Sequence, residues 1–431
     1  MRVGTFLPEQ ANSVLYAMAG DDCSLHHDLD QLTPKQRLDH QENQVLTCAL
    51  QVALTGLGKP NDYVALGDPF LAEHWADNLR HYQHMFREMG LPAVPPERWQ
   101  FYPLDTYYSG ISAALPPVDM VNLYMISGSN LPLHGDMPSL AISRNVNSKL
   151  HFAKHAPKAG IPVPRTEIYR QSEIKEGLAE PLFAAAEHGV MVKLLGLAGS
   201  RNVFAVATVA ECLEQVAEYS EDMEILLQER LDTSRWREMT VDLKITPDAI
   251  EISNVRQILF AGGKWVGNFL SPELTVPDAH RDVLIAVGEY ARHHGHVAPE
   301  GVNCGIDYFI SGDDVIVTEI NARWTGGLFP AEFLRRLSVS RPAIAFFDMV
   351  SCADLDAVRD FQDRYLYPGG GAFSFIPMGF TPFAMEIDGV ERYFVWQIVE
   401  GDFAAFVQAK STELGDSAFP TANSILEEAL S

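Results

Sequence analysis

Two hydrophobic periods alternate along the first third of the chain. A helical period runs over residues 38–54 and again from Phe70 to Met89, where Gly90 ends it. Short apolar runs lie between and beyond, at Asp62-Tyr-Val-Ala-Leu-Gly67 and at Val118–Ile126, the latter closed by Ser127-Gly-Ser-Asn130. Strands that alternate with helices predict a parallel sheet, so residues 1–140 read as one α/β unit with proline turns at 91–96 and 115–117. No G-x-G-x-x-G occurs in it, which argues against a dinucleotide site there.

A helix follows from Asn145, with Asn145 or Asn147 as its cap and Gly160 and Pro162 ending it. Gly189–Lys193 is a strand, and Val203–Ala207 is another. The loop between them carries Gly196, Gly199 and Ser200. Its glycines remove side chains, so its N–H groups can approach phosphate oxygens. It is not a Walker A loop, since no Gly-Lys-Ser/Thr follows, and an ordinary hairpin turn fits it equally well. Glu224–Leu231 passes from apolar to polar, as a buried strand with polar ends would. Glu238–Ile245 and Ile250–Phe260 read as neighbouring strands that bring Asp242 and Lys244 to one face and Asn254 and Arg256 to one face. A helix is predicted over Asp278–His293. His293, His294 and His296 follow its end without a carboxylate at helical spacing, which favours a solvated cluster over a metal site.

The most informative stretch is 305–327. Two β-branched apolar runs flank the turn around Gly312 and Asp313, the signature of a hairpin. Side chains two apart share a face, so Glu319, Asn321 and Arg323 line up. A register centred on Asp313 sets Asp307 opposite Glu319 and Gly305 opposite Asn321. Two carboxylates and an amide oxygen then form an oxygen cage suited to Mg²⁺. A one-residue slip would move every apolar side chain of the run off its buried face.

Composition narrows the partners. The chain has 431 residues, is 47% hydrophobic, and carries 57 acidic against 32 basic residues, a net charge of −25. Such a surface argues against nucleic acid and anionic membrane, and requires any nucleotide site to concentrate Lys and Arg locally. The five cysteines are scattered without C-x-x-C spacing, and the N-terminus lacks the apolar core of a signal peptide. The expectation is a cytoplasmic protein with reduced thiols, a homodimer being the default oligomer. Residues from about 340 onward read as further α/β structure without motif chemistry.

Lys149 at a helix start before Ala-Gly-Ile-Pro-Val-Pro164, Lys193 before its glycine loop, the 224–231 segment, Asp307 and Glu319-Ile-Asn321-Ala-Arg323 occur in an order that resembles the ATP-grasp superfamily over roughly residues 140–335. Within it, Glu319–Gly327 is most similar to the pheganomycin type of peptide ligase. The resemblance implies an α/β chain in three parts: a pre-ATP-grasp domain at 1–140, a catalytic core at 141–335 with a lid at about 165–232, and a C-terminal extension at 336–431 completing the substrate side. It implies that Lys149, Lys193, Gly199 and Ser200 meet the phosphates of ATP. Gln228, Glu229 and Leu231 would receive adenine and ribose, and Asp307, Glu319 and Asn321 would hold Mg²⁺ or Mn²⁺. Arg323 would stabilise the transferred group. Arg256 either does the same or pairs with Asp242. The activity implied is amide or peptide bond formation from a small-molecule carboxylate and amine, an amino acid or peptide, through an acyl phosphate. The alternatives are a kinase- or carboxylase-type acceptor, or a regulatory nucleotide binder.

Overall fold

The computed structural model describes residues 4–195, 203–261, 264–369, 371–387 and 389–430. In the first segment, β1 (Val14–Ala17), β2 (Tyr63–Gly67), β3 (Trp99–Tyr102) and β4 (Met120–Leu123) form a sheet in the order β3-β2-β1-β4. Every pairing in it is parallel, as the alternation of strands and helices predicts. The first long helix spans Pro34–Leu57, a full turn earlier than its apolar stripe indicates. Thr33 accepts from the Gln36 N–H while the Gln36 side chain accepts from the Thr33 N–H, a reciprocal cap that starts the helix before its hydrophobic face begins.

A second sheet, in the order β5-β8-β6-β7, comprises β5 (Thr166–Arg170), β6 (Val190–Lys193), β7 (Val203–Val206) and β8 (Glu224–Glu229). It has its own core, built on Ile174, Leu182, Val192, Ile225 and Leu227.

The remaining strands make one nine-stranded sheet. They are β9 (Arg237–Ile245), β10 (Ile250–Ala261), β11 (Lys264–Leu270), β12 (Val302–Ser311), β13 (Asp314–Asn321), β14 (Ala343–Ser351), β15 (Phe373–Phe380), β16 (Met385–Ile387) and β17 (Val390–Gly401). The path runs β13-β12-β9-β10-β11-β14-β17-β15, with β16 on β17. The helix Asp278–His293 covers β9, β10 and β12 through Leu284, Val287 and Ala291.

The C-terminal strands therefore extend the same sheet that carries the hairpin, because β14 pairs antiparallel with β11. Their inner faces also share one hydrophobic cluster with the first sheet and its helices. Gly379 on β15 shows how close the two come: a Cβ there would lie 2.0 Å from the Ala49 carbonyl oxygen of the first long helix. Any larger residue would force that helix off the strand. No helix among the described residues is long and apolar enough to cross a membrane.

Candidate active site

The hairpin of β12 and β13 has the register its alternation requires. Asp307 faces Glu319, Ile306 faces Ile320, and Gly305 faces Asn321. Beyond Asp307 the ladder shifts by one, so that Tyr308 faces Val317 and Thr318 is bulged out. The bulge has a use. The Thr318 hydroxyl donates to the Asp307 carbonyl at 3.1 Å, and the Thr318 carbonyl accepts from Lys193 Nζ at 3.4 Å. Lys193, the last residue of β6, is thereby tied to the hairpin from the neighbouring sheet.

Lys149 opens the helix Lys149–His155, and its Nζ lies 3.2 Å from Glu319 Oε2. The cap of that helix is neither asparagine expected for it. Ser148 caps it, accepting from the His151 N–H, while Asn145 and Asn147 fall at the end of the preceding helix, Met137–Val146. Asn147 instead works in the site: its amide donates to the Ala322 carbonyl and its oxygen accepts from Arg323 Nη1 at 3.3 Å.

Arg323 is buried, and each of its three nitrogens has a partner. Nε donates to the Tyr124 hydroxyl at 2.8 Å, Nη1 also donates to Asn321 Oδ1 at 2.6 Å, and Nη2 lies 3.2 Å from Asp22 Oδ1. The Asn321 amide nitrogen donates to Asp307 Oδ2 at 3.1 Å. Asp22, His26, Asn147, Lys149, Leu195, Glu319 and Arg323 line a common cleft between the first sheet and the hairpin.

Charge crowding marks the cleft. Asp307 and Glu238 each keep some exposed surface, yet both carboxyls are strongly desolvated. Desolvation and the Glu319 charge push Asp307 up to about 6, and desolvation and the Asp307 charge push Glu238 up to about 8. Glu319 goes the other way. Burial would raise it, but Lys149, Lys193 and Arg323 outweigh that and hold it below the ordinary value. Burial lowers Lys193, against the pull of Glu319.

Sequence patterning does not single out Glu238, Asp22, His26, Tyr124 or Asn147 as members of the site. Glu238 is legible in part: it stands two positions before Thr240 on β9, and Thr240 faces Asp307. Asp22 and Tyr124 carry no local signal, since only the packing of the first domain brings them to Arg323.

Arg256 stands one strand beyond Thr240 from Asp307, close enough for its charge to oppose the rise of that carboxyl, and pairs with Asp242 at 2.6 Å, both side chains being almost wholly buried. Asp242 also accepts from the Thr325 hydroxyl at 2.7 Å. The Arg256 Nε has no partner among the described residues. In the segment expected to receive adenine, the Gln228 amide donates to Thr166 Oγ1 at 3.0 Å and the Glu229 N–H to the Arg165 carbonyl at 2.8 Å. Leu231 is half-buried just beyond. Gly199 and Ser200 lie outside the described residues. Among the described residues, no three His, Cys, Asp or Glu side chains are grouped tightly enough to hold a metal ion. The third donor of the expected cage, the Asn321 amide oxygen, is turned to Arg323 Nη1, and it is the amide nitrogen that faces Asp307.

Solved structures share this fold over nearly the whole chain. The carboxyaminoimidazole ribonucleotide synthase from Aspergillus clavatus complexed with ATP is 14% identical, with a TM-score of 0.53 over 96% of this chain and 98% of that chain. The N5-carboxyaminoimidazole synthetase from Staphylococcus aureus complexed with ADP is 12% identical, with a TM-score of 0.53 over 95% and 99%. The biotin carboxylase domain of the 2-oxoglutarate carboxylase from Hydrogenobacter thermophilus, in complex with MgADP, ADP and bicarbonate, is 10% identical, with a TM-score of 0.54 over 94% and 89%. No protein-family model and no curated protein matches the sequence. The structural likeness shows the fold: this chain is folded as the ATP-grasp proteins are.

Proposed function

We propose that the protein is an ATP-dependent, ADP-forming ligase that joins a small-molecule carboxylate to an amine. The observation that carries this is the pair Asp307 and Glu319, facing each other across the hairpin, with Lys149, Lys193 and Arg323 converging on them. Crowding and desolvation make Asp307 hold its proton more tightly than usual, while the flanking cations keep Glu319 charged beside it, and a dication relieves that crowding. Asp307 and Glu319 therefore fit Mg²⁺ or Mn²⁺ as donors, and the Asn321 oxygen would join them on turning from Arg323 Nη1 toward the pair. Metal, when bound, neutralises phosphate oxygens.

Lys149 and Lys193 hold the triphosphate of ATP, Lys149 exchanging its contact with Glu319 for one with phosphate. Gln228, Glu229 and Leu231 receive the adenine nucleoside, and the loop with Gly199 and Ser200 covers the phosphates. A substrate carboxylate oxygen attacks the γ-phosphorus and ADP leaves. The free amine nitrogen then attacks the acyl carbon, the carbon–oxygen bond to phosphate breaks, and phosphate departs with the electron pair and takes up the proton that the nitrogen loses. Arg323 stabilises the charge that develops on the transferred group. We assign Arg256 to the ion pair with Asp242 rather than to the phosphoryl group. The division into 1–140, 141–335 with its lid at about 165–232, and 336–431 belongs to the same reading. The peptide-ligase specialisation rests on the Glu319–Gly327 run.

Bicarbonate as the acid is the second reading, favoured by the bicarbonate bound in the Hydrogenobacter thermophilus structure. The test is ADP release from MgATP against amino acids and short peptides, singly and in pairs, and against bicarbonate, with products read by mass spectrometry. A pair-dependent product lighter than the sum by one water supports amide formation. A product heavier by carbon dioxide supports carboxylation. MgATP bound without ADP release under any condition rejects both in favour of a regulatory binder.

A further inference from the structure

The parallel sheet β3-β2-β1-β4 reverses its direction of growth at β1, since β2 lies on one side of it and β4 on the other. The crevice beyond the carboxyl ends of two such strands is where open parallel sheets present ligands. Here that crevice opens onto the cleft with Arg323. Asp22 begins the helix after β1, and Tyr124 follows β4 directly. Both reach the same guanidinium.

The two consecutive aspartates after β1 face opposite ways. Asp21 is buried and accepts from the hydroxyls of Tyr108 at 2.6 Å, Ser127 at 2.9 Å and Ser129 at 3.0 Å. These bonds pin the end of β1 to the loop after β4. Asp22 then presents its carboxylate to the cleft, its side chain 11% exposed. Arg323 does not need Asp22 to aim it. The neutral oxygens of Tyr124, Asn147 and Asn321 already hold its Nε and Nη1. His26, on the same wall, is pushed down to about 3 by burial and by His27, Arg323 and Lys149. It is uncharged at neutral pH and adds no positive charge beside Asp22. This wall of the cleft thus offers a carboxylate next to a neutral imidazole.

We propose that Asp22 is the receptor for the ammonium group of the amine substrate, so that the site selects acceptors such as the α-amino group of an amino acid or peptide over uncharged nucleophiles. This rests on the ligase reading and names the acceptor class for the same site. An ammonium entering the cleft takes the carboxylate that now faces Arg323 and gives it one proton, which leaves a free amine able to attack the acyl carbon. Arg323 is left with an unpaired Nη2 for the anionic transferred group. One residue thus couples arrival of the amine to readiness of the arginine.

The test compares wild type with Asp22→Asn and Asp22→Glu. Each standard amino acid serves as the acid with MgATP. The acceptor is either a second amino acid or hydroxylamine, which is largely uncharged near neutral pH and yields a hydroxamate measurable by its ferric complex. Asp22→Asn is expected to lower kcat/KM for the ammonium acceptor at least about ten-fold more than for hydroxylamine, the scale of one charge-assisted hydrogen bond, chiefly through KM. Asp22→Glu is expected to keep more of the preference than Asp22→Asn. Equal losses with both acceptors would show that Asp22 acts only by positioning Arg323, and an unchanged ratio would remove it from acceptor binding; either overturns the proposal. Asp22→Ser supplies a second neutral variant should Asp22→Asn fail to fold. If wild type forms neither amide nor hydroxamate with any acid, the ligase reading itself fails, a result separate from any loss of preference in the variants.

Discussion

Replacing Arg256 with methionine isolates a charge. Arg256 and Asp242 are 1% and 0% exposed, and their ion pair is 2.6 Å long. Without the guanidinium, Asp242 keeps, among the described residues, the Thr325 hydroxyl at 2.7 Å and the Asn254 amide at 3.5 Å. A buried carboxylate so deprived costs about 3–5 kcal/mol. Substituting both partners, Asp242→Leu with Arg256→Met, removes the charge as well as its partner and is expected to recover most of that loss, because well-packed apolar replacements of a buried pair are often neutral. Urea unfolding followed by circular dichroism, arranged as a double-mutant cycle, measures the coupling. A strongly destabilised single variant and a recovered double variant place Arg256 in the fold. If Arg256→Met instead unfolds within about 1 kcal/mol of wild type while ADP release falls by about 10²-fold or more, the ion-pair assignment is wrong and the arginine serves the reaction.

Glu319→Ala removes one of the two facing carboxylates and is expected to lower turnover by at least about 10²-fold, read as ADP release; near-normal turnover would show that the cage is misassigned. Lys193→Ala should weaken MgATP binding with the fold retained, and unchanged affinity by calorimetry would remove Lys193 from the phosphate site. Gly327→Ala would set a Cβ 2.3 Å from the Arg256 guanidinium carbon, which the ion pair holds in place, so a loss of about 1–3 kcal/mol is expected in the same unfolding assay. Asp348 gives a pH signature. Burial pushes it up to about 7 although the N–H groups of Met349, Thr421 and Ala422 point at it. The folded state therefore holds this proton where the unfolded chain has released it, and its contribution to stability falls as pH rises from about 4 to about 7. The stability of wild type relative to Asp348→Asn should decline across that window, and a constant difference would refute the shift.

What the sequence determines by itself is local. Alternation along 305–327 dictates which side chains share a face, and a two-residue period admits no slip without exposing the core, so Asp307 against Glu319 and Gly305 against Asn321 are legible in the residue pattern alone. Lys193 at a strand end is legible from the apolar run before it, whereas Lys149 stands out only through the family resemblance. Short elements are not. β1 is four residues, all buried, and shows no alternation, while β3 lies between Pro95-Pro96 and Pro103, which read as turn. The helix cap is ambiguous in sequence because Ser148, Asn147 and Asn145 are all competent caps, and the preceding helix consumes both asparagines.

Only the tertiary structure decides what meets across distance. Asp22 and Tyr124 reach Arg323 because the first sheet packs its strand ends against the hairpin. β14, β17 and β15 join the sheet that carries the hairpin because β11 leaves an open edge for β14. Glu238 lies beside Asp307 because β9 pairs with β12 in one particular register. Such contacts leave no periodic trace in a single chain, since hydrophobic patterning records which face is buried but not which other segment buries it. The pairing of the hairpin's polar side chains is therefore written in one stretch of sequence, while their neighbours from the first sheet are settled by packing.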